Sequence, residues 1–83
     1  MKKTATVTKD TSKERNLSRE LIECIADLRV KQGLSQSALS RFSGVPQKTI
    51  SRMENGLTTP SLDTLVRLLD AMNYTLEFSV TKK

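Results

Sequence analysis

The sequence has 83 residues, enough for one small domain, and its 14 Lys and Arg against 9 Asp and Glu give a formal net charge of +5. This balance suits a polyanionic partner, but alone it is weak support, because many basic proteins bind nothing acidic. With no His and only one Cys, imidazole catalysis and His or Cys zinc sites are excluded. We expect no enzymatic activity and no cofactor, metal or small-molecule ligand. Because neither a membrane-spanning apolar run nor a secretion signal is recognisable, we expect a cytoplasmic protein.

The N-terminal part of the chain is predicted to be an arm followed by a helix. Residues 1–16 are polar, rich in Thr and Lys and without an apolar period, which predicts a flexible basic arm. An apolar stripe at helical spacing then predicts a first helix over residues 17–32. The stripe consists of Leu17, Leu21, Ile25 and Leu28. Asn16 or Ser18 can cap the start of this helix, and Gly33 suits its C-terminal end.

Two short helices separated by a tight turn are predicted next. Ser35 can cap a helix that runs from residue 36 to about residue 42. Gly44 can supply the positive φ that a tight turn needs. Pro46 then stands at the start of a third helix, which begins near Gln47 and runs to about Glu54, and its missing N–H costs nothing at that position. Two helices joined in this way form a helix-turn-helix unit, although helical hairpins in general are common.

The C-terminal part is predicted to be a fourth helix and a strand. Ser61 can cap the helix, whose predicted buried stripe is Leu62, Leu65, Val66, Leu69 and Met72. Over residues 74–81 the period changes to two, which is typical of a half-buried strand. Its apolar positions are Tyr74, Leu76, Phe78 and Val80.

No second strand is recognisable in the sequence, and a lone strand cannot satisfy its own backbone groups. We therefore expect residues 74–83 to form a dimerisation strand and tail, with the strand pairing across a two-fold axis with a second copy. Under this interpretation Tyr74, Leu76, Phe78 and Val80 contribute to the dimer. The alternative is a frayed tail in which Tyr74 and Leu76 cover the core of the monomer.

The run from Leu34 to Gly56 resembles the lambda-repressor-like, or xenobiotic-response-element, helix-turn-helix family. The matching residues are Leu34-Ser35-Gln36, Leu39, Gly44-Val45, Thr49-Ile50-Ser51 and Glu54-Asn55-Gly56. Pro60-Ser61-Leu62 also fits, so that the resemblance covers about residues 21–72. It implies an all-α domain of four to five helices over residues 17–73 that binds double-stranded DNA. The basic arm is then either a further DNA contact or simply disordered.

Two positions depart from the family pattern. Ser40 stands where a small residue, usually Ala, allows the two short helices to cross closely, and Ser is small enough for this. Phe42 stands where a charged residue is common. An exposed aromatic side chain there would mark a partner surface. Packing against the N-terminal segment is an equally good interpretation.

The third helix has one face for the core and one for a partner. At 3.6 residues per turn, Ile50 and Met53 share a face that we expect to be buried. We predict that the helix contacts base edges, because Gln can pair with adenine and Arg or Lys with guanine. The predicted base-contacting residues are Gln47, Lys48, Ser51 and Arg52, and the predicted DNA-backbone contacts are Gln36, Arg41, Thr49, Asn55 and Thr58. The alternative is a charged face that is merely solvated.

The resemblance adds two further expectations. The residue at the place of Gln36 contacts phosphate in that family and braces a glutamine of the reading helix, which here is Gln47. An acid beside DNA is unfavourable, so Glu54 should point inward, and the resemblance implies a structural ion pair with Arg29.

A helix-turn-helix domain that ends in a strand also resembles HipB-type antitoxins, with HigA-like antitoxins nearby. This resemblance implies a dimeric repressor on a palindromic operator, which represses its own toxin–antitoxin operon and binds a toxin protein. Two alternatives stay open. One is a phage-type, chromosomal or restriction-modification controller without a toxin partner. The other is an interaction module that has lost DNA binding.

Overall fold

A computed structural model describes residues 3–8, 16–80 and 82. The elements in this part of the chain are β1 Lys3–Thr8, α1 Leu17–Lys31, α2 Gln36–Ser43, α3 Gln47–Glu54, α4 Leu62–Ala71 and β2 Tyr74–Ser79. The four predicted helices and the C-terminal strand are confirmed, and so is the mostly helical fold. None of the described helices has the length and apolar character that crossing a membrane requires.

Local capping determines where the helices begin and end. The backbone N–H of Arg19 donates to Asn16 Oδ1 at 3.0 Å, and that of Ala38 donates to Ser35 Oγ at 3.0 Å. Such bonds satisfy N–H groups that have no partner within the helix. At the end of α2, Gly44 adopts φ 74°, and its N–H donates to the Ser40 carbonyl. This left-handed residue turns the chain sharply into α3.

The helices enclose one apolar core, which is formed mainly by α1, α3 and α4 and closed by α2. Its buried residues are Leu21, Ile22, Ile25, Leu39, Val45, Ile50, Met53, Leu65, Leu68, Leu69 and Met72. Leu28, Leu34, Tyr74 and Leu76 are partly buried against it. Tyr74 and Leu76 therefore contribute to the core of the monomer.

The stripe predicted for α4 is partly wrong. Leu62 and Val66 are 51% and 42% exposed, whereas Leu68, which the stripe omitted, is fully buried. At 100° per residue, the buried face is centred between Leu68 and Leu69. Leu62 and Val66 lie toward the flank of that face.

The sheet corrects two expectations. β1 pairs with β2 in parallel, with Lys3 opposite Tyr74 and Thr8 opposite Ser79, so the chain does contain a second strand. The prediction of an arm without regular structure is therefore wrong for Lys3–Thr8, and β2 finds a partner within its own chain. The other residues of the predicted arm, 1–2 and 9–15, lie outside the described residues, as does the side chain of Phe78. The three Thr of β1 suit a strand, but its apolar residues are only Ala5 and Val7, so its alternation is too weak to predict a strand from the sequence.

Candidate nucleic-acid interface

Helix α3 presents the two faces that its sequence predicts. Ile50 and Met53 are fully buried in the core. The side chains of Gln47, Lys48 and Arg52 are exposed. Thr49 and Ser51 lie half-buried along the margins, and Asn55 is exposed just beyond the helix. The four residues predicted to contact bases therefore lie on the accessible part of α3, and three of them are exposed.

The turn between α2 and α3 is held by two serines. Ser40 Oγ donates to the Val45 carbonyl at 2.6 Å, and the Val45 N–H donates to Ser43 Oγ at 3.1 Å. Both backbone polar groups of Val45 are thus satisfied by side chains of α2, while its own side chain is buried in the core. Ser40 therefore does more than permit close packing: it ties α2 to the residue that leads into α3. Neither serine bond was predicted from the sequence, although serine side chains commonly bond to nearby backbone groups.

A nearly buried ion pair anchors the C-terminal end of α3. Arg29 and Glu54, the pair that the family resemblance implies, are joined by two hydrogen bonds. Arg29 Nε donates to Glu54 Oε2 and Arg29 Nη2 to Glu54 Oε1, both at 2.8 Å. The side chains are only 15% and 11% exposed. Arg29 Nη1 also donates to the Leu34 carbonyl at 2.7 Å, so one guanidinium joins α1, the loop before α2 and α3.

The environment of this pair shifts both pKa values toward the charged forms. Burial raises the pKa of Glu54, but hydrogen bonds from Arg29 and Gln36 and the charge of Arg29 outweigh it, so the pKa lies below its ordinary value. The hydrogen bond to Glu54 raises the pKa of Arg29, against the opposing effect of burial. The single acid of α3 is thus neutralised on the inner side of the helix.

Gln36 lies at the start of α2 and takes part in the same network. Its Nε2 donates to Glu54 Oε1 at 3.1 Å. The resemblance implied that Gln36 braces Gln47. Among the hydrogen bonds of the described residues, Gln36 bonds to Glu54 instead. The start of α2 and the end of α3 are thereby held together.

The remaining residues predicted to contact the DNA backbone are spread over this surface. Arg41 is exposed near the far end of α2, about 7.5 Å along the helix from Gln36. Thr58 is half-buried in the loop after α3. Lys48 and Arg52 provide positive charge on the exposed part of α3. The exposed acids of the described residues lie on other elements: Glu23 and Asp27 on α1, Asp63 and Asp70 on α4, and Glu77 on β2. The surface around α3 is therefore suited to an anionic partner.

Two short helices joined by a left-handed glycine turn, with an accessible basic second helix, define the helix-turn-helix class of protein. The family model described as helix-turn-helix matches residues 25–79, and the chain belongs to this family. A Haemophilus influenzae protein described as an uncharacterized HTH-type transcriptional regulator is 42% identical over 64 residues. The aligned region covers 77% of this chain and 65% of that relative, so the chain spans less than two thirds of the relative's length. No solved structure matches this chain.

Proposed function

We propose that this protein is a sequence-specific DNA-binding transcriptional repressor that inserts α3 into the major groove. The observation that carries the proposal is the exposure of Gln47, Lys48 and Arg52 on a helix whose opposite face is buried. Membership of the helix-turn-helix family and the relative described as a transcriptional regulator support the same function. Repression follows from occupancy, because a protein bound over a promoter excludes polymerase.

Each side chain of the interface has a role that its chemistry favours. Gln47 can form two hydrogen bonds with adenine, and Arg52 can form two with guanine O6 and N7. Lys48 and Ser51 reach neighbouring base edges in the same groove. Backbone contacts are assigned to residues on α2, on α3 and in the loop after α3: Gln36, Arg41, Thr49, Asn55 and Thr58. These contacts fix the position of the protein on the duplex, whereas the base contacts determine specificity.

We propose a homodimer on a palindromic operator. In the described part of the chain the sheet has two strands, so β1 occupies only one edge of β2. The other edge can pair with β2 of a second copy and form a continuous four-stranded sheet. Because Tyr74 and Leu76 pack on the monomer core, we assign the dimer contact to the backbone of β2 and to Phe78 and Val80. Val80 is 95% exposed, and a second copy would cover it.

Within this function, we propose the role of antitoxin and autorepressor of a HipBA-like toxin–antitoxin operon. Support comes from the resemblance of a helix-turn-helix domain followed directly by a strand. A stand-alone repressor without a toxin partner is the alternative. Co-expression with the neighbouring reading frame separates the two, because only an antitoxin relieves the toxicity of the product of that frame.

Selection of bound duplexes from a random pool tests DNA reading. The expected product is a palindrome whose half-sites are about one helical turn, roughly 10–10.5 base pairs, apart. Lys48→Ala should weaken binding to the selected duplex, whereas Arg67→Ala, a matched change of an exposed cation on α4, should leave it close to the wild type. Recovery of no enriched sequence would contradict the proposal.

A further inference from the structure

Arg19, in the first turn of α1, reaches across the domain to the end of α3. Its Nη1 donates to the Met53 carbonyl at 3.3 Å, and its Nε donates to Glu23 Oε1 at 3.2 Å. The ion pair with Glu23 spans one turn of α1 and orients the guanidinium. The Arg19 side chain is 41% exposed, so it lies at the edge of the core.

The same guanidinium lies against Gly56, two residues beyond the end of α3. A Cβ added to Gly56 would lie 3.3 Å from Arg19 Nη1 and 3.7 Å from Arg19 Cζ. Gly56 also has φ +75°, a conformation that other residues rarely adopt. The missing side chain of Gly56 therefore leaves room for the Arg19 guanidinium, and its left-handed conformation restricts the position to glycine independently.

The end of α3 has a physical need for such a partner. The last carbonyls of a helix lack partners within it and carry a partial negative charge, which a cation stabilises. α3 has only eight residues, so either end affects its whole orientation. The Met53 carbonyl, which accepts from Arg19, also accepts from the Gly56 N–H at 3.1 Å.

We propose that Arg19 is a positioning residue for DNA reading. Through the Met53 carbonyl and Gly56, it holds the C-terminal end of α3 and the start of the loop that carries Thr58. The Arg29–Glu54 pair holds the same end of α3 through a side chain, and Arg19 holds it through the backbone. This inference rests on the proposed function and names a residue of α1, outside the two short helices, that contributes to it.

Amide hydrogen exchange tests the contact itself in the full chain. The Gly56 and Leu57 amides, which donate to the Met53 and Arg52 carbonyls, should exchange faster in Arg19→Gln than in the wild type. Arg19→Lys, which keeps the charge and can bond the carbonyl, should restore part of the protection. Arg67→Gln, which removes the same charge from an exposed position of α4, should leave these amides unchanged. Unchanged exchange in Arg19→Gln would overturn the inference.

DNA binding tests the consequence. Arg19→Gln should lower affinity for the selected duplex roughly tenfold, with little change for a random duplex and an unchanged salt dependence. A direct phosphate contact would instead weaken both complexes and reduce the slope of log K against log salt by about 0.9, and this result would overturn a positioning role. Faster exchange of the Gly56 and Leu57 amides in Arg19→Gln, without any loss of DNA specificity, would also overturn a positioning role.

Should Arg19→Gln fail to fold, Glu23→Gln provides the milder test, because it removes only the partner that orients the guanidinium. It should produce a smaller change of the same kind in both assays, and no change in either would overturn the inference. If the wild type binds no duplex, the proposed function and the DNA-positioning role both fail. The exchange assay still reports separately whether Arg19 holds the end of α3.

Discussion

Neutralising Glu54 is expected to destabilise the domain far more than neutralising another glutamate. The substitution Glu54→Gln keeps the size of the side chain and removes its charge. In the wild type this carboxylate accepts two hydrogen bonds from Arg29 and one from Gln36. A glutamine amide offers only one oxygen, and its NH₂ group would face a donor of Arg29.

The expected magnitude follows from burial and from the number of bonds. Breaking a fully buried ion pair by removing one partner costs about 3–5 kcal/mol. Here the two side chains are 11% and 15% exposed, and Arg29 keeps its bond to the Leu34 carbonyl, so the loss should be smaller. We expect Glu54→Gln to lower the free energy of unfolding by about 2 kcal/mol. For a domain of this size that corresponds to a fall in Tm of roughly 8–16 °C.

Urea unfolding followed by circular dichroism at neutral pH measures this difference. Glu23→Gln is the matched control, since the Glu23 side chain is 62% exposed and forms an ion pair along α1. An exposed pair of this kind contributes only about 0.3–0.5 kcal/mol. Equal losses in the two variants would refute the view that the Arg29–Glu54–Gln36 network anchors α3.

Three further predictions concern pH, a glycine and the dimer. Folding lowers the pKa of Glu54 below its ordinary value, near 4.5. Its carboxylate therefore stabilises the fold fully above pH 4.5, and this stabilisation is lost as the pH falls through the pKa of the folded state. Urea titrations from pH 7 to pH 3 should therefore show the wild type and Glu54→Gln converging, and a constant gap would contradict the assignment. In Gly33→Ala the added Cβ meets nothing within 4 Å, so the free energy of unfolding should fall only by the strain of the left-handed conformation, about 1–2 kcal/mol. Gly56→Ala should lower it further, because the added Cβ also meets Arg19. Equal losses in the two variants on urea unfolding would argue against that contact. Val80→Asp should shift the proposed dimer toward the monomer in sedimentation without lowering the stability of the monomer, because Val80 is almost fully exposed in one copy, and an unchanged dimer would show that Val80 does not contribute to the interface.

Local signals in the sequence predicted most of the fold. Helix caps such as Asn16 and Ser35, the left-handed Gly44 and the apolar stripe of α1 act within a few residues, and each lies where it was expected. The two faces of α3 also follow directly from the helical period.

Contacts between distant parts of the chain could not be predicted in this way. The pairing of β1 with β2 joins distant parts of the chain, and nothing in the residues of Lys3–Thr8 identifies Tyr74–Ser79 as their partner. Arg19 and Met53 are 34 residues apart, and a backbone carbonyl leaves no trace in the sequence. Val66 was wrongly predicted to be buried for another reason. The helical period of apolar residues identifies one face of a helix, but it does not show how far the core extends around that face.

The proposal that α3 reads base edges is tested most directly by comparing specificity in the wild type and in Arg52→Ala. Dissociation constants are measured at one salt concentration on the selected duplex and on a scrambled duplex of equal length. The wild type should bind the selected duplex at least about 10³-fold more tightly. Arg52→Ala should lose about 1–3 kcal/mol on that duplex and much less on the scrambled one. Equal binding of both duplexes by the wild type, or an Arg52→Ala variant as selective as the wild type, would contradict it.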